Sequence, residues 1–241
     1  MQRREFFKVV AGVGAVIVAP SLITTDLRAD DGRLYKAYNK VQLVDGDGNP
    51  ILASKLVEEE NYIFNYPFVG VSSILIALPE KTETNVKLKS ESGEEYIWKG
   101  GIGKKGNIVA YSSICSHQMT HVNKAESFIS YQKRCQKTMA CPRTGVMVCA
   151  SHLSAYDVHK GSEVISGPAP QPLASIVLEH HDDDTLWAVG VLGADKFHEF
   201  FKAFKSELKE QYGGARKAKK KVKDTAQLVA LADFTKDIIQ Y

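Results

Sequence analysis

Cysteine and histidine are scarce: the 241 residues hold four of the first and seven of the second. In a chain so poor in metal-ligating side chains, any place where they cluster is informative. An excess of charge of one sign is also missing. The formal net charge of +3 is too small to mark a nucleic-acid binder. No second set of two histidines and a carboxylate offers itself for a mononuclear iron, so His121, His159, His180, His181 and His198 read as packed or solvated residues. The stretch DGDGNP (Asp45 to Pro50) lacks the later glutamate of an EF-hand, so it reads as a turn rather than a calcium loop. What remains, 44% hydrophobic and 24% charged, is ordinary composition for one or two globular domains.

The chain is organised around Asn107 to Asp157. Two short boxes lie in it: Cys115-Ser-His117, a C-x-H, and Cys149-Ala-Ser-His152, a C-x-x-H. Each follows an apolar, β-rich run, Ile108 to Tyr111 and Val146 to Val148. A tight loop at a strand end can aim one thiolate and one imidazole at a common point, and two such loops enclose a metal. A structural zinc site of two cysteines and two histidines would use the same four residues. So would a Rieske [2Fe–2S] cluster, with both cysteines on one iron and both histidines on the other. Four unrelated buried residues are the plain alternative. Zinc fingers group Cys with Cys and His with His, whereas each box here mixes the two, which suits a binuclear cluster gripped from two sides.

Beyond the ligands, the stretch resembles the Rieske protein family. Ser154 and Tyr156 stand where the resemblance implies hydroxyl donors to a bridging sulfide and to a cysteine sulfur. SGPAPQPL (Ser166 to Leu173), with Gly167 and Pro168, resembles the proline-rich loop that covers the cluster's third side. NIVAYSSICSH, after Gly100, Gly101, Gly103 and Gly106, is similar to the small subunit of arsenite oxidase. Most respiratory Rieske proteins carry a second cysteine in each box, forming a disulfide; Thr120 and Ser151 stand at those positions here. The 31 residues between His117 and Cys149 hold the remaining pair, Cys135 and Cys141, beside Lys133, Arg134, Lys137 and Arg143. In an oxidising compartment that pair is expected to form a disulfide.

Residues 1–23 read as a twin-arginine signal and membrane anchor. Arg3-Arg4-Glu5-Phe6-Phe7-Lys8 resembles the export motif, and an apolar run to Ile23 follows. As a helix, Phe6 to Ile23 spans about 27 Å, close to the bilayer core. No A-x-A cleavage site is convincing, and the basic residues suit the cytoplasmic side, so an uncleaved transmembrane helix is expected. A tether (24–40) leads to a Rieske domain (41–193, cluster-binding part 108–173) of the all-β sandwich or barrel type. Lys87 to Lys99 reads as an exposed charged hairpin, and Ile176–Leu178 with Leu186–Leu192 as another. From Ala194 a helical, basic C-terminal extension follows. Phe197, Phe200, Phe201, Phe204 and Leu208 form one apolar-periodic helix, and Leu228 to Ile239 a second.

The resemblance implies Cys115, His117, Cys149 and His152 as ligands of one [2Fe–2S] cluster, with no catalytic residue beyond them. The chain is then an electron-transfer subunit of a larger oxidoreductase, on the periplasmic side of a bacterial cytoplasmic membrane. The anchor and the GPAP loop favour a quinol–cytochrome c oxidoreductase with cytochrome b and a c-type cytochrome as partners. The glycine-rich approach to the first box and the missing disulfide favour an arsenite-oxidase-like molybdenum enzyme with a molybdopterin subunit. A zinc-stabilised interaction module is the alternative of another class.

Overall fold

A computed structural model describes residues 34–133, 138, 139, 141 and 143–240. Its apolar runs become an eight-stranded sheet. In order across the sheet the strands are Thr225–Gln227, Tyr35–Val44, Leu186–Leu192, Ser175–His180, Ile108–Ser112, Ser72–Ala77, Tyr62–Asn65 and Val229–Ala230. Neighbours run antiparallel except the first pair, where Gln42 lies beside Thr225 in parallel.

Both faces of this sheet are covered, which is why Ser72–Ala77 and Ile108–Ser112 read as unbroken apolar or small runs rather than as alternations. Side chains still alternate by face. Leu75, Ala77, Ile108 and Ala110 join one core, and Ile74, Ile76, Val109 and Tyr111 the other. The first core is closed by helices Phe197–Ala203 and Lys205–Tyr212, which bury Phe197, Phe200, Phe201 and Leu208. Each such side chain contributes about 1.5–3 kcal/mol. The second core runs from the sheet into a four-stranded unit, Glu163–Ser166, Ser154–Asp157, Val146–Cys149 and Ile129–Gln132. That unit carries the second box. Asn61 joins it to the main sheet by exchanging two hydrogen bonds with the backbone of Tyr131, at 3.0 and 2.7 Å.

Three expectations change. The C-terminal tail is not a helical extension beyond the domain. Instead of a helix over Leu228 to Ile239, the chain forms strands Thr225–Gln227, Val229–Ala230 and Asp237–Ile238 with only a short helix, Leu231–Phe234, between them. One strand pairs with Tyr35–Val44 and the next with Tyr62–Asn65, so a single short stretch covers both edges of the sheet. Two open edges offer more unmet backbone hydrogen bonds than a short isolated helix can supply, and they override its periodicity. The tether is the second change: Tyr35 to Lys40 is already strand, paired to Leu192 through Gly190. The third is the hairpin Val86–Lys89 with Glu95–Trp98. It is exposed only on its lysine face, and Leu88, Tyr96 and Trp98 are buried in the second core.

DGDGNP is a turn. Asp45 Oδ1 accepts from the backbone N–H groups of Asp47 and Asn49, at 2.9 and 2.8 Å, which is an Asx-type closure. The twin-arginine motif and anchor expected over 1–23 lie outside the described residues. Among the described residues no helix is long and apolar enough to cross a membrane.

Candidate metal centre

Strand Ile108–Ser112 delivers the first box into a turn that closes on itself. Met119 N–H donates to Cys115 O (3.0 Å), and Cys115 N–H donates to Thr120 O (2.8 Å). The turn is anchored to the next strand by Ser113, whose hydroxyl donates to Ser72 O at 2.9 Å. The second box is the tip of a β-hairpin, with Cys149 opposite Ser154 and Met147 opposite Tyr156. Leu153, in the left-handed region at φ 59°, turns the chain back.

The four candidate ligands sort by kind. Cys115 and Cys149 are buried, at 2% and 0% exposure, and hydrogen-bonded to each other. The rings of His117 and His152 meet edge to face with centroids 4.9 Å apart. His152 is exposed and His117 half-buried. Among the described residues no group of three or more His, Cys, Asp or Glu is arranged to hold a single ion. Two sulfurs together and two imidazoles together are what a [2Fe–2S] cluster requires when two cysteines hold one iron and two histidines the other.

Electrostatics favour thiolate at Cys115. The hydrogen bond from Cys149 draws the Cys115 thiol down to about 6, against the opposing effect of burial, with further bonds from Tyr156 and the N–H groups of His117 and Gln118. Cys149, as the donor of the shared proton and itself buried, is pushed up, while the N–H groups of Ser151 and His152 pull it the other way. Each sulfur therefore has two backbone N–H donors supplied by its own box. Those dipoles neutralise charge on a bound anionic group without adding a titratable side chain.

Two buried polar atoms near these ligands have no protein partner: His117 Nδ1 and Ser154 Oγ. A buried group left unpaired costs about 1–3 kcal/mol. An imidazole nitrogen that ligates iron and a hydroxyl that donates to cluster sulfide account for both, and the residues present fit the cluster. Tyr156, buried beside them, lies with its hydroxyl 3.3 Å from Cys115 Sγ and 3.3 Å from Ser116 Oγ. Burial, followed by the charge on Cys115, pushes its phenol up, so it stays protonated as a donor.

The loop Ser166 to Leu173 lies over the site by way of two residues not singled out from the sequence. Ser116, between the first Cys and His, donates to Gln171 O at 2.7 Å. Gln171 in turn accepts from Glu91 N–H (3.0 Å) and donates to Ala194 O (3.1 Å), which fastens the loop to the hairpin and to the end of strand Leu186–Leu192. Their only trace in the sequence was position, a small polar residue inside C-x-H and a glutamine inside the proline loop.

Gly167 adopts φ 84°, and a Cβ there would meet Leu153 O and sit 2.5 Å from Ser154 Cα. The neighbouring Pro168 is exposed. Gly167→Ala is therefore expected to lift the loop off the second box. Strain of about 1–3 kcal/mol should appear as a lower melting temperature and faster bleaching of the cluster's visible absorbance. Wild-type behaviour on both measurements would mean the loop does not bear on the site.

Of the expected cysteine pair, Cys135 lies outside the described residues, so their pairing does too; Cys141 is buried. Thr120 O takes part in the first-box turn, and Ser151 Oγ is 3.2 Å from His152 Nδ1. Arg143 binds Asp157 at 2.8 Å, and Lys133 binds Glu60 at 3.3 Å. Away from the site, His180 contacts Asp184 at 2.9 Å and His181 stacks on Trp187.

A model of the Rieske [2Fe-2S] domain matches residues 77–177. The chain is similar to the iodate reductase subunit IdrB of Denitromonas iodatirespirans, 32% identical over 193 residues, which are 80% of this chain and 82% of that protein. It is also similar to the iodate reductase subunit IdrB of Pseudomonas sp. (strain SCT), 33% identical over 140 residues; there it covers 57% of the relative and 58% of itself. Among solved structures, the soluble domain of Rieske protein II (soxF) from Sulfolobus acidocaldarius is similar at 20% identity and a TM-score of 0.45, over 65% of this chain and 82% of that one.

Proposed function

We propose that this chain, which belongs to the Rieske [2Fe–2S] family, is the electron-transferring small subunit of a molybdenum enzyme acting on an oxyanion, as in the arsenite oxidase its first box resembles. One observation carries the choice of host. The similarity to an iodate reductase subunit runs over 80% of the chain, well beyond the stretch 77–177. Iodate, named for that relative, and arsenite are both oxyanions, which sets the substrate class of the proposed host. A quinol–cytochrome c oxidoreductase host rests on the anchor and the GPAP loop, and neither relative named above is of that kind.

When bound, the cluster supplies reversible one-electron transfer. The chain's own residues give that chemistry its direction and access. Cys115 and Cys149 hold the buried end, with four backbone N–H groups and the Tyr156 hydroxyl to balance its charge. His152, exposed, and His117, half-buried, would hold the end nearer solvent, where a redox partner could approach. His117 would ligate through its buried, unpartnered Nδ1. Around these ligands Ser116, Ser154 and Gln171 are each at most 4% exposed.

We place the folded domain on the periplasmic side of a bacterial cytoplasmic membrane, exported through the segment 1–23. Mild detergent extraction followed by affinity purification of the chain tests the host. A molybdopterin-containing subunit is expected to co-purify at a stoichiometric level. Recovery of a b-type cytochrome in its place would overturn the molybdenum reading and restore the quinol-oxidising one.

A further inference from the structure

We propose that His121 is a positioning residue for the metal centre, clamping the turn that bears Cys115 and His117 to the C-terminal helix Lys205–Tyr212. This rests on the cluster reading above. The imidazole is 6% exposed, with Nδ1 3.0 Å from Met119 O and Nε2 2.7 Å from Glu207 Oε1. A carbonyl and a carboxylate can only accept, so the ring is held between acceptors from both of its nitrogens. Phe200 and Phe204 fix its tilt, each edge-on to it at 4.7 Å. Glu207 is held in turn by Gln211, whose Nε2 donates to Oε1 at 3.2 Å.

The carbonyl that His121 grips belongs to the most constrained residue of the turn. Met119 sits at φ 60°, a conformation a non-glycine residue adopts only when its surroundings impose it. Around Met119 the turn is closed by two backbone bonds that involve Cys115 itself. Just before it, the N–H groups of His117 and Gln118 donate to the Cys115 sulfur. A loosened Met119 therefore disturbs the amides that balance sulfur charge. That disfavours the reduced, more negative cluster and lowers the midpoint. Through this clamp the tail, which covers the opposite core of the sheet, also sets the geometry of the first box.

The test uses the full holoprotein. His121→Phe keeps a ring between Phe200 and Phe204 but removes both hydrogen bonds. Redox titration should show the oxidised-to-reduced ratio at a fixed potential raised at least tenfold, which is about 59 mV for one electron. Hydrogen exchange of residues 115–120 should quicken at least tenfold. Glu207→Gln, which exchanges a charge-assisted bond for a weaker neutral one, should quicken that exchange to a rate between wild type and His121→Phe; it is read by exchange alone, because losing the carboxylate's charge itself raises the midpoint. A wild-type midpoint and exchange rate in His121→Phe would show that the ring only packs, and would overturn the clamp. So would a Glu207→Gln variant with a wild-type exchange rate, and that variant decides alone should His121→Phe not fold. A wild-type protein without a Rieske-type EPR signal would instead overturn the cluster reading itself.

Discussion

Cys149→Ser is expected to yield a folded chain without a cluster: no iron, no acid-labile sulfide and no low-g-average EPR signal on reduction. Iron in such a site is held by thiolate, and a serine hydroxyl neither ionises near neutral pH nor offers a soft donor. The fold should survive because Cys149 lies in a strand bonded on both sides, to Ser154–Asp157 and to Ile129–Gln132. The new buried hydroxyl costs about 1–3 kcal/mol, small against a core continuous with the main sheet. Cys115→Ser should behave alike, whereas Ser151→Ala, which removes only a contact at 3.2 Å, should keep the cluster. Full iron and an unchanged spectrum in either cysteine variant would remove that residue from the ligand set. Stoichiometric zinc in freshly exported wild-type protein would revive the zinc alternative.

The second large effect concerns the hydroxyls. Tyr156→Phe and Ser154→Ala should each keep the cluster and lower its midpoint by tens of millivolts or more. A donor to cluster sulfur stabilises the reduced form, which carries one more negative charge. A hydrogen bond to a charged acceptor contributes roughly 1.5–3 kcal/mol, and at about 59 mV per 1.4 kcal/mol the range is about 60–130 mV. Ser154 makes the cleaner test. Its Oγ is buried and has no protein partner, so alanine there leaves no other group unsatisfied. Tyr156 shares its hydroxyl with Ser116, which keeps its bond to Gln171 O when the phenol is removed. Unchanged midpoints in both variants would mean that neither hydroxyl serves a sulfur.

The ligand boxes were legible because metal chemistry admits few residue types. C-x-H and C-x-x-H at the ends of β-rich runs leave few alternatives, and the structure places their thiols together and their rings together. Strands Ile108–Ser112 and Val146–Cys149 were legible for a related reason: buried strands of this length are apolar without interruption. Gly167 was singled out by resemblance, and its need for a missing Cβ became visible only against Leu153 and Ser154. Ser116 and Gln171 were not legible, since nothing local separates a serine that bridges two loops from one that faces water.

The sequence by itself put forward the four candidate ligands, and determined the strand, turn and first-helix segments whose periodicity is strong. Those properties are local, fixed by side-chain chemistry and by neighbours a few residues away. Only the tertiary structure decided the fate of the tail. Leu228 to Ile239 has helical spacing, yet the tail lies along two sheet edges formed near the start of the described chain, because open edges must be paired. It likewise decided that the hairpin Val86–Lys89 with Glu95–Trp98 buries its aromatic face, and that His121 meets Glu207 across 86 residues. Contacts of that range depend on where the sheet puts each strand, and no window of sequence contains both partners.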